Sequence, residues 1–286
     1  MQALAAFTYV PAIHGPKLVP STMSAWSGDV HDIGPLILYE DDDLLAIYKP
    51  PSILMQDDNR QDGRGTGDVS LFAAAQKFRP ECKLGLVHRL DRPTSGCAVF
   101  AKTAKATTWL SESFKIRKAD KEYVAVLNGE LTGSGAITNF LSVSQTEKTR
   151  VFDNDNKDIG RRRNTVEARL QWEAIMAIQG GAELKQKQTL QTLVKVKLET
   201  GRRHQIRAQM SHLGYSVVGD AKYGAPQRFQ MKDIALHSLR LTLVHPTTKQ
   251  PIVLSSSVPT VWISRFGQDV VSAVDELRIT VTQKPV

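Results

Sequence analysis

Short apolar runs that end at turn-forming residues recur along the chain, and they restrict its fold more than any other feature. Such runs are typical of β-strands. The first two, Leu36–Tyr39 and Leu44–Tyr48, flank Glu40–Asp43 and predict a β-hairpin. Its acidic turn lacks the glycine and distal glutamate of a calcium loop, so we interpret it as solvated. Further strands are expected at Cys97–Phe100, Lys121–Leu127, Val166–Leu170, Leu190–Leu198, Ile234–Val244 and Pro251–Ser256.

Helices are expected between some of these strands, over Val69–Phe78, Ala104–Ile116 and Val261–Leu277, and after Thr200–Gly201. In the helix expected after Thr200–Gly201, Ile206, Met210 and Leu213 recur at the spacing of one helical face. Arg203 and Arg207 lie at the border of that face and could reach a partly buried site. Because strands and helices do not alternate regularly, the pattern predicts an α+β domain. Its central sheet should be mixed, largely antiparallel, and flanked by helices and loops.

The chain carries a net charge of +8 and has a pI near 9.4. This excess of Lys and Arg favours a polyanionic partner, nucleic acid first and an anionic membrane surface second. No apolar run approaches the roughly 18 residues of a membrane-spanning helix. Cys82 and Cys97 are the two cysteines, and no histidine lies near them at ligand spacing. Neither a zinc site nor a disulfide framework is therefore indicated, and a reducing compartment is expected.

Residues 1–34 are interpreted as a flexible N-terminal extension, because Gly, Pro, Ser and Thr are frequent and apolar residues show no sustained period. The first acidic residue is Asp29, as in a transit peptide, but the segment contains no arginine. Cytoplasmic localisation is expected. An organellar location stays open if the extension is a targeting segment.

The loop Leu86–Gly96 is the first candidate for chemistry. Within it, Asp91 lies between Arg89 and Arg92. Two flanking cations favour the charged form of a carboxylate, so Asp91 is expected to be ionised at neutral pH. An ordinary surface Arg–Asp pair, which contributes little, is the alternative on local chemistry alone.

A second candidate surface is the polar, basic stretch between Leu131 and Gln188. Basic residues on loops and edge strands suit phosphate contacts that position a nucleic acid without reading its sequence. A solvated face is the alternative. The basic residues are Lys148, Arg150, Lys157 and Arg161–Arg163.

Four separated segments form a specific set because they occur in a fixed order. They are Leu44–Pro50, ending in Lys-Pro; His88–Gly96; Lys121–Ala125; and Thr200–Arg207, followed by Gly219–Asp220 and Tyr223–Gly224. A weaker fifth segment is Leu236–Ser238 with His245–Pro246. In this combination the chain resembles the RluA-type family of RNA pseudouridine synthases, over about residues 36–257.

The resemblance implies a pseudouridine synthase catalytic domain over residues 35–286, which converts uridine in RNA to its C5-linked isomer without a cofactor or a metal. Asp91 would act at the ribose, either by covalent attack at C1′ or by removing a ribose proton. Arg207 would pair with this carboxylate. Tyr123 would stack on the uracil and serve late proton removal from C5.

The resemblance also implies that the target base leaves the helical stack before reaction, which costs a few kcal/mol. Arg89 would then fill or brace the vacated space, since a guanidinium can both stack and bind phosphate. Lys49, Lys121, Arg202 and Arg203 would position the RNA or support the site. The expected partner is rRNA or tRNA, with messenger RNA open, no membrane contact and a monomeric protein.

Two departures from the family pattern affect specificity. Gln209 stands where the family often has a histidine, which should alter packing or RNA contact. No stretch resembles the small S4-type RNA-binding domain of many relatives. A catalytically inactive RNA-binding or RNA-chaperone protein on the same fold is the alternative function, and a base-releasing glycosylase is a third.

Overall fold

The computed structural model describes residues 30–57, 69–142, 148–153, 164–179, 190–226 and 233–280. Over these residues, strands from the whole chain join one sheet in the order β1-β2-β4-β10-β5-β9-β8-β6-β7, with β11 on β10 and β3 on β4. The strands are β1 (Ile37–Glu40), β2 (Leu44–Lys49), β3 (Gly85–Leu86), β4 (Ser95–Ala101), β5 (Asp120–Asn128), β6 (Ser134–Ser142), β7 (Val151–Phe152), β8 (Thr165–Gln179), β9 (Leu190–Leu198), β10 (Leu236–Val244) and β11 (Pro251–Ser255).

The sheet is mixed because β4 and β10 run parallel, whereas the other named strand pairs are antiparallel. This confirms the predicted α+β class with a largely antiparallel sheet. The parallel pair lies at the centre, where His237 is opposite Ser95 and Ser238 is opposite Gly96. The loop that carries Asp91 therefore enters the sheet at its middle.

Five helices flank the sheet in the described part of the chain. They are α1 (Leu71–Phe78), α2 (Ala104–Lys115), α3 (Gln205–His212), α4 (Val261–Phe266) and α5 (Gln268–Ile279). α2 begins at Ala104 as predicted, and α1 begins two residues later than predicted, because Ser70 and Thr103 accept backbone hydrogen bonds from the first turn and so cap the helices.

Helices cover both faces of the central strands. Along β5, Tyr123, Ala125 and Leu127 pack in one core cluster with α1 and α3, while Val124 and Val126 pack in another with α4 and α5. Successive side chains of a strand point to opposite faces. A strand buried on both sides therefore reads as a continuous apolar run, which is why β5 was recognisable from the sequence.

The stretch after Leu131 contains longer strands than the short pieces predicted there. β6 has 9 residues and β8 has 15, and the two pair antiparallel. The polar face of β8 carries ion pairs, such as that of Arg169 with Glu167 and Glu199. Charged residues along the strand make its alternation of apolar and polar residues hard to recognise in the sequence. Lys148 and Arg150 are exposed, while Lys157 and Arg161–Arg163 lie outside the described residues.

The predicted C-terminal helix is two helices. Gly267, between α4 and α5, has a φ of +92°. A residue with this φ cannot continue a right-handed helix, and glycine adopts it without steric cost. Trp262, Phe266 and Val270 keep both helices packed on the sheet.

The predicted boundary of the N-terminal extension is several residues too late. Residues 1–29 lie outside the described residues. Val30–Leu36 forms a 3₁₀ helix, and Ile33 and Leu36 are buried in the main core cluster. The folded domain thus includes residues before 35, because these two apolar side chains complete its core.

The predicted solvated acidic turn is an ion-paired junction. Glu40 bonds Arg79 and Lys102 at 2.7 Å and 2.9 Å. His245, from the β10–β11 turn, contacts Asp41 at 2.9 Å. The hydrogen bonds and ion pairs to Arg79 and Lys102 lower the pKa of Glu40 to about 2, although burial opposes this. The acidic residues thus join the first hairpin to the rest of the sheet.

Gly96 is predicted to tolerate no side chain. Its φ is +119°, and a Cβ would overlap the backbone carbonyl of Ser238 on β10. Gly96→Ala should lower the free energy of unfolding by about 2–5 kcal/mol, because it combines backbone strain with overpacking between central strands. Urea denaturation measures the loss.

Gly133→Ala is the matched control, since Gly133 also has positive φ (+78°) but no neighbour within 4 Å of the added atom. It should lose only about 1–2 kcal/mol, the cost of the left-handed conformation. Equal losses for the two variants would contradict the predicted overlap at Gly96.

Candidate active site

The loop between β3 and β4 presents Asp91 at the edge of the central strands. Leu90 is buried in the main core cluster, and the amide of Thr94 donates to the carbonyl of Asp91 at 3.0 Å, which closes a tight turn. The Asp91 side chain keeps 15% of its surface exposed. The turn therefore holds one carboxylate where solvent or substrate can reach it.

The guanidinium of Arg207, on α3, lies between two carboxylates. Its Nε and Nη2 donate to the two oxygens of Asp220 at 2.6 Å and 2.9 Å, and its Nη1 donates to Oδ2 of Asp91 at 3.1 Å. Burial would lower the pKa of Arg207, but the bonds and charges of Asp220 and Asp91 raise it above its ordinary value. Asp220 is 1% exposed, so Arg207 neutralises a buried charge and also pairs with an accessible one.

The cation that bonds Asp91 comes from a distant helix and is Arg207, the partner that the family resemblance implies. Arg92 donates from Nε to the carbonyl of Ser52 at 3.0 Å, which ties the loop to the turn after β2. Arg89 is exposed two residues before Asp91. The fold, and not proximity along the chain, therefore brings the Arg207 guanidinium to the Asp91 carboxylate.

Tyr123, on β5, lies beside this pair. Its side chain is buried, with 7% of the residue exposed. Burial raises the pKa of Tyr123 above its ordinary value, a hydrogen bond with Ser238 opposes the rise, and the charge of Asp91 adds to it. The structure therefore brings Asp91, Tyr123 and Arg207 together, with the tyrosine hydroxyl protonated at neutral pH.

Two residues near Asp91 were assigned no role from the sequence. His204 lies directly before α3, with its Nε2 atom 3.9 Å from Oδ2 of Asp91. Its Nδ1 is 2.9 Å from the hydroxyl of Tyr223, whose ring lies 5.1 Å from the Arg207 guanidinium carbon. Both residues stand inside matched segments, at Thr200–Arg207 and Tyr223–Gly224, which is the signal that could have found them.

The helix that supplies Arg207 begins later than predicted. α3 starts at Gln205 rather than at Thr200–Gly201, because His204 adopts a left-handed φ of +54° and the Thr200 hydroxyl bonds the Gln205 side chain. Ile206 and Met210 are buried as expected, but Leu213 is 43% exposed. The whole helix is buried from Gln205 to Met210, so its polar side chains face protein partners instead of solvent.

Lys49 lies beneath the catalytic loop and does not reach the surface. It is 0% exposed, and its Nζ donates to the carbonyls of Pro50 and Arg92 at 2.8 Å and 2.9 Å. Burial lowers its pKa to about 7, while the charges of Asp91 and Asp233 oppose the shift. The expected RNA contact of Lys49 is therefore corrected to an internal one that fixes the backbone next to Asp91.

The other predicted RNA-contacting residues lie in a basic region near the site. Burial lowers the pKa of Lys121, and the nearby charges of Arg202 and Arg117 lower it further. Arg202 also donates from Nε to the carbonyl of Glu167 at 3.0 Å. Arg203 is half-buried next to His204. These cations repel one another, so an anion placed between them would be stabilised.

His88 and Gln209 serve the packing of the site. The Nε2 atom of His88 accepts from the amide of Val99 at 2.9 Å, and its ring stacks on Phe114. Burial lowers the pKa of His88 to about 3, so the ring is neutral. Gln209, fully buried, donates to Asn139 and to the carbonyl of Ala168, which joins α3 to β6 and β8. Gln209 was expected to alter either packing or RNA contact, and the structure shows it in a packing role.

Among the described residues, no group of three or more His, Cys, Asp or Glu side chains is arranged to hold a metal ion. No helix among them is long and apolar enough to cross a membrane.

A carboxylate held by a buried guanidinium, near a tyrosine and several cations, suits chemistry on a polyanion. The family model described as RNA pseudouridylate synthase matches residues 43–212, more than half of the chain, and the chain belongs to this family. Its reaction is the isomerisation of uridine in RNA, as the RluA-type segments predict.

Curated relatives carry the same activity in their names. Ribosomal large subunit pseudouridine synthase D of Salmonella typhimurium is 30% identical over 87% of this chain and 72% of its own length. tRNA pseudouridine synthase C of Haemophilus ducreyi is 30% identical over 81% of this chain and 94% of its own length.

Solved structures share the fold. The human RNA pseudouridylate synthase domain containing 4 aligns with a TM-score of 0.61 at 20% identity, over 88% of this chain and 96% of that one. The human RNA pseudouridylate synthase domain containing 1 aligns with a TM-score of 0.62 at 22% identity, over 85% and 94%. The overall fold is therefore shared with these structures.

Lys49 predicts a pH dependence of stability. Its folded pKa, about 7, lies below its ordinary value of 10.5. Between these values the unfolded chain binds more protons, so the free energy of unfolding should rise with pH through that window. Lys49→Met removes this contribution. Wild type should gain stability relative to Lys49→Met as the pH rises from about 7 to about 9.5, measured by urea unfolding.

Lys118→Met is the control, because Lys118 is exposed. Its stability difference from wild type should stay constant over the same pH range. A difference for Lys49→Met that is equally constant would show that Lys49 is fully charged in the folded protein.

Proposed function

We propose that the protein converts specific uridines in structured RNA, rRNA or tRNA, to pseudouridine, with the Asp91 carboxylate acting at the ribose. The contact between Arg207 and Oδ2 of Asp91 is the observation that carries this proposal. It joins the carboxylate to its stabilising cation across 116 residues of sequence. The names of the relatives support both RNA classes.

The two oxygens of Asp91 have different surroundings. Oδ2 accepts from Arg207 and lies nearest His204, which leaves Oδ1 as the oxygen that neither residue engages. An oxygen that the guanidinium does not engage retains more of its nucleophilicity and basicity. We assign Oδ1 as the atom that reaches the sugar, whether it bonds C1′ or removes a ribose proton.

Tyr123 is proposed to act through its ring. Burial raises the pKa of its hydroxyl, so a phenolate is absent at neutral pH. A buried aromatic face beside the carboxylate suits stacking on an everted uracil, and stacking is worth about 1–3 kcal/mol for each base. If Tyr123 also removes the proton from C5 late in the reaction, its neutral hydroxyl must release its own proton to another acceptor as it takes up the proton from C5.

Arg89 and the basic region are proposed to hold the RNA. Arg89 is exposed on the loop that carries Asp91, so it can enter the space that a flipped base leaves. Lys121, Arg202 and Arg203 then contact phosphates around the cleft. The positive charge makes affinity depend on salt, because phosphate contacts release counterions. We further propose a monomeric, cytoplasmic enzyme with its catalytic domain spanning most of residues 35–286.

Asp91→Asn should abolish turnover without abolishing binding, because the amide has nearly the same shape but neither attacks nor accepts a proton. The rate should fall at least about a hundredfold, the usual lower range for losing such a group. Tritium release from [5-³H]uridine-labelled RNA, extracted from cells lacking the protein, measures turnover. Filter binding measures affinity.

The exposed Asp42→Asn on the first hairpin is the matched control and should behave as wild type. Unchanged turnover of Asp91→Asn would refute chemistry at Asp91. Free uracil in the products would indicate a glycosylase instead, and RNA binding by wild type without any tritium release would indicate an inactive RNA-binding protein.

Arg207→Lys should impair turnover at least about tenfold and change RNA affinity by less than about threefold, because one ammonium cannot bond Asp220 twice and Asp91 once. It keeps a positive charge beside the buried Asp220. Arg207→Ala is less informative, since an unpaired buried carboxylate destabilises the fold by about 3–5 kcal/mol.

Arg203→Lys is the control for arginine chemistry, as Arg203 lies four residues before Arg207, outside α3, and the charges of both reach His204. Its effect should appear in binding. Should Arg207→Lys lose affinity and turnover in equal measure, Arg207 would be an RNA-binding residue and not the partner of the carboxylate.

A further inference from the structure

The position of the His204 side chain is not explained by capping of helix α3. It stands at the N-cap of α3, yet its side chain makes no capping hydrogen bond. Its backbone adopts a left-handed φ of +54°, a conformation found for only a few per cent of non-glycine residues, among which histidine is one of the more frequent. With only 10% of its side chain exposed, the ring is placed between Asp91 and Tyr223. A strained backbone and a buried ring next to a catalytic carboxylate indicate a role in the site.

The contacts on the two ring nitrogens are satisfied together by one tautomer. The hydroxyl of Tyr223 accepts from the amide of Thr149 at 3.1 Å, so its own proton is free to be donated to Nδ1 of His204. Nδ1 is then an acceptor, and the ring proton is on Nε2. Burial lowers the pKa of His204 to about 4, so the ring carries this single proton at neutral pH.

We propose that His204 is a positioning residue for Asp91: its Nε2–H, fixed by the Tyr223 hydroxyl, bonds Oδ2 when RNA is bound. The inference rests on the proposed function, in which Asp91 acts at the ribose. Nε2 is 3.9 Å from Oδ2 without RNA. Catalytic hydrogen bonds are often long in the free enzyme and shorten only in the complex with substrate.

The geometry explains why a second donor is useful. Arg207 approaches Oδ2 with one nitrogen, while its other two contacts belong to Asp220. One bond leaves the carboxylate free to rotate about its Cβ–Cγ axis. A second donor on the same oxygen stops this rotation and keeps Oδ1 directed at the sugar, which favours the reactive geometry.

The test compares two substitutions that separate the ring's contacts. Asn places its amide near the Nδ1 position, so His204→Asn keeps the Tyr223 contact, tolerates the left-handed backbone and loses the donor toward Asp91. Gln places its amide nitrogen as many bonds from Cα as Nε2, so His204→Gln restores that donor. Turnover and KM are measured by tritium release from [5-³H]uridine-labelled RNA extracted from cells lacking the protein.

We expect kcat of His204→Asn to fall about tenfold or more, the scale of one hydrogen bond to a charged group, with KM and melting temperature near wild type. His204→Gln should recover to within about threefold of wild type. Equal activity of His204→Asn and wild type, equal impairment of both variants, or a change confined to KM would each overturn the proposal.

Tyr223→Phe is an independent arm that holds if His204→Asn fails to fold. It keeps the ring next to Arg207 and removes the hydroxyl that fixes the tautomer. We expect a fall in kcat of about threefold or more without a change in KM. No fall would overturn the inference.

The tautomer itself is read without RNA by nitrogen-15 NMR of histidine-labelled protein. A proton on Nε2 of His204 supports the proposal, and a proton on Nδ1 overturns it by itself. Wild-type protein that releases no tritium would instead overturn the proposed function, so the two failures are distinguishable.

Discussion

The buried guanidinium of Arg207 is the interaction on which the site depends. Taking a cation and a carboxylate out of water costs several kcal/mol for each ion, and only close geometry with further hydrogen bonds offsets that cost. Asp220 supplies both features, with two bonds to the guanidinium. The remaining nitrogen is thereby aimed at Asp91. A single side chain thus sets the charge, the direction and the distance of the carboxylate that faces the substrate.

Side-chain hydrogen bonds to backbone carbonyls and a close backbone contact fix the loop that carries Asp91. Lys49 bonds the carbonyl of Arg92 from below, and Arg92 bonds the carbonyl of Ser52. Gly96 packs against the main chain of Ser238. A rigid first set of contacts supports catalytic geometry better than a mobile loop, because small displacements of a reacting atom reduce the rate strongly. The central place of β4 in the sheet makes this rigidity possible.

The strands buried on both faces and the two capped helices were predictable, because continuous apolar runs and Ser or Thr caps are local signals. Of β8, the sequence predicted only Val166–Leu170, because the remaining residues alternate less clearly between buried and exposed positions. The start of α3 was also missed. It depends on a left-handed residue, His204, whose conformation is fixed by contacts with Tyr223 and by its place beside Asp91.

The sequence by itself determined the family, the reactive residue types and the class of the fold, because ordered motifs and apolar periodicity are properties of the chain. The resemblance also implied that Arg207 pairs with Asp91, 116 residues away. Only the tertiary structure showed that the same guanidinium bonds Asp220 through two further nitrogens. Lys49 was expected to position or contact RNA, yet packing encloses it completely. Contacts between distant segments depend on how strands and helices pack, and no local pattern encodes them.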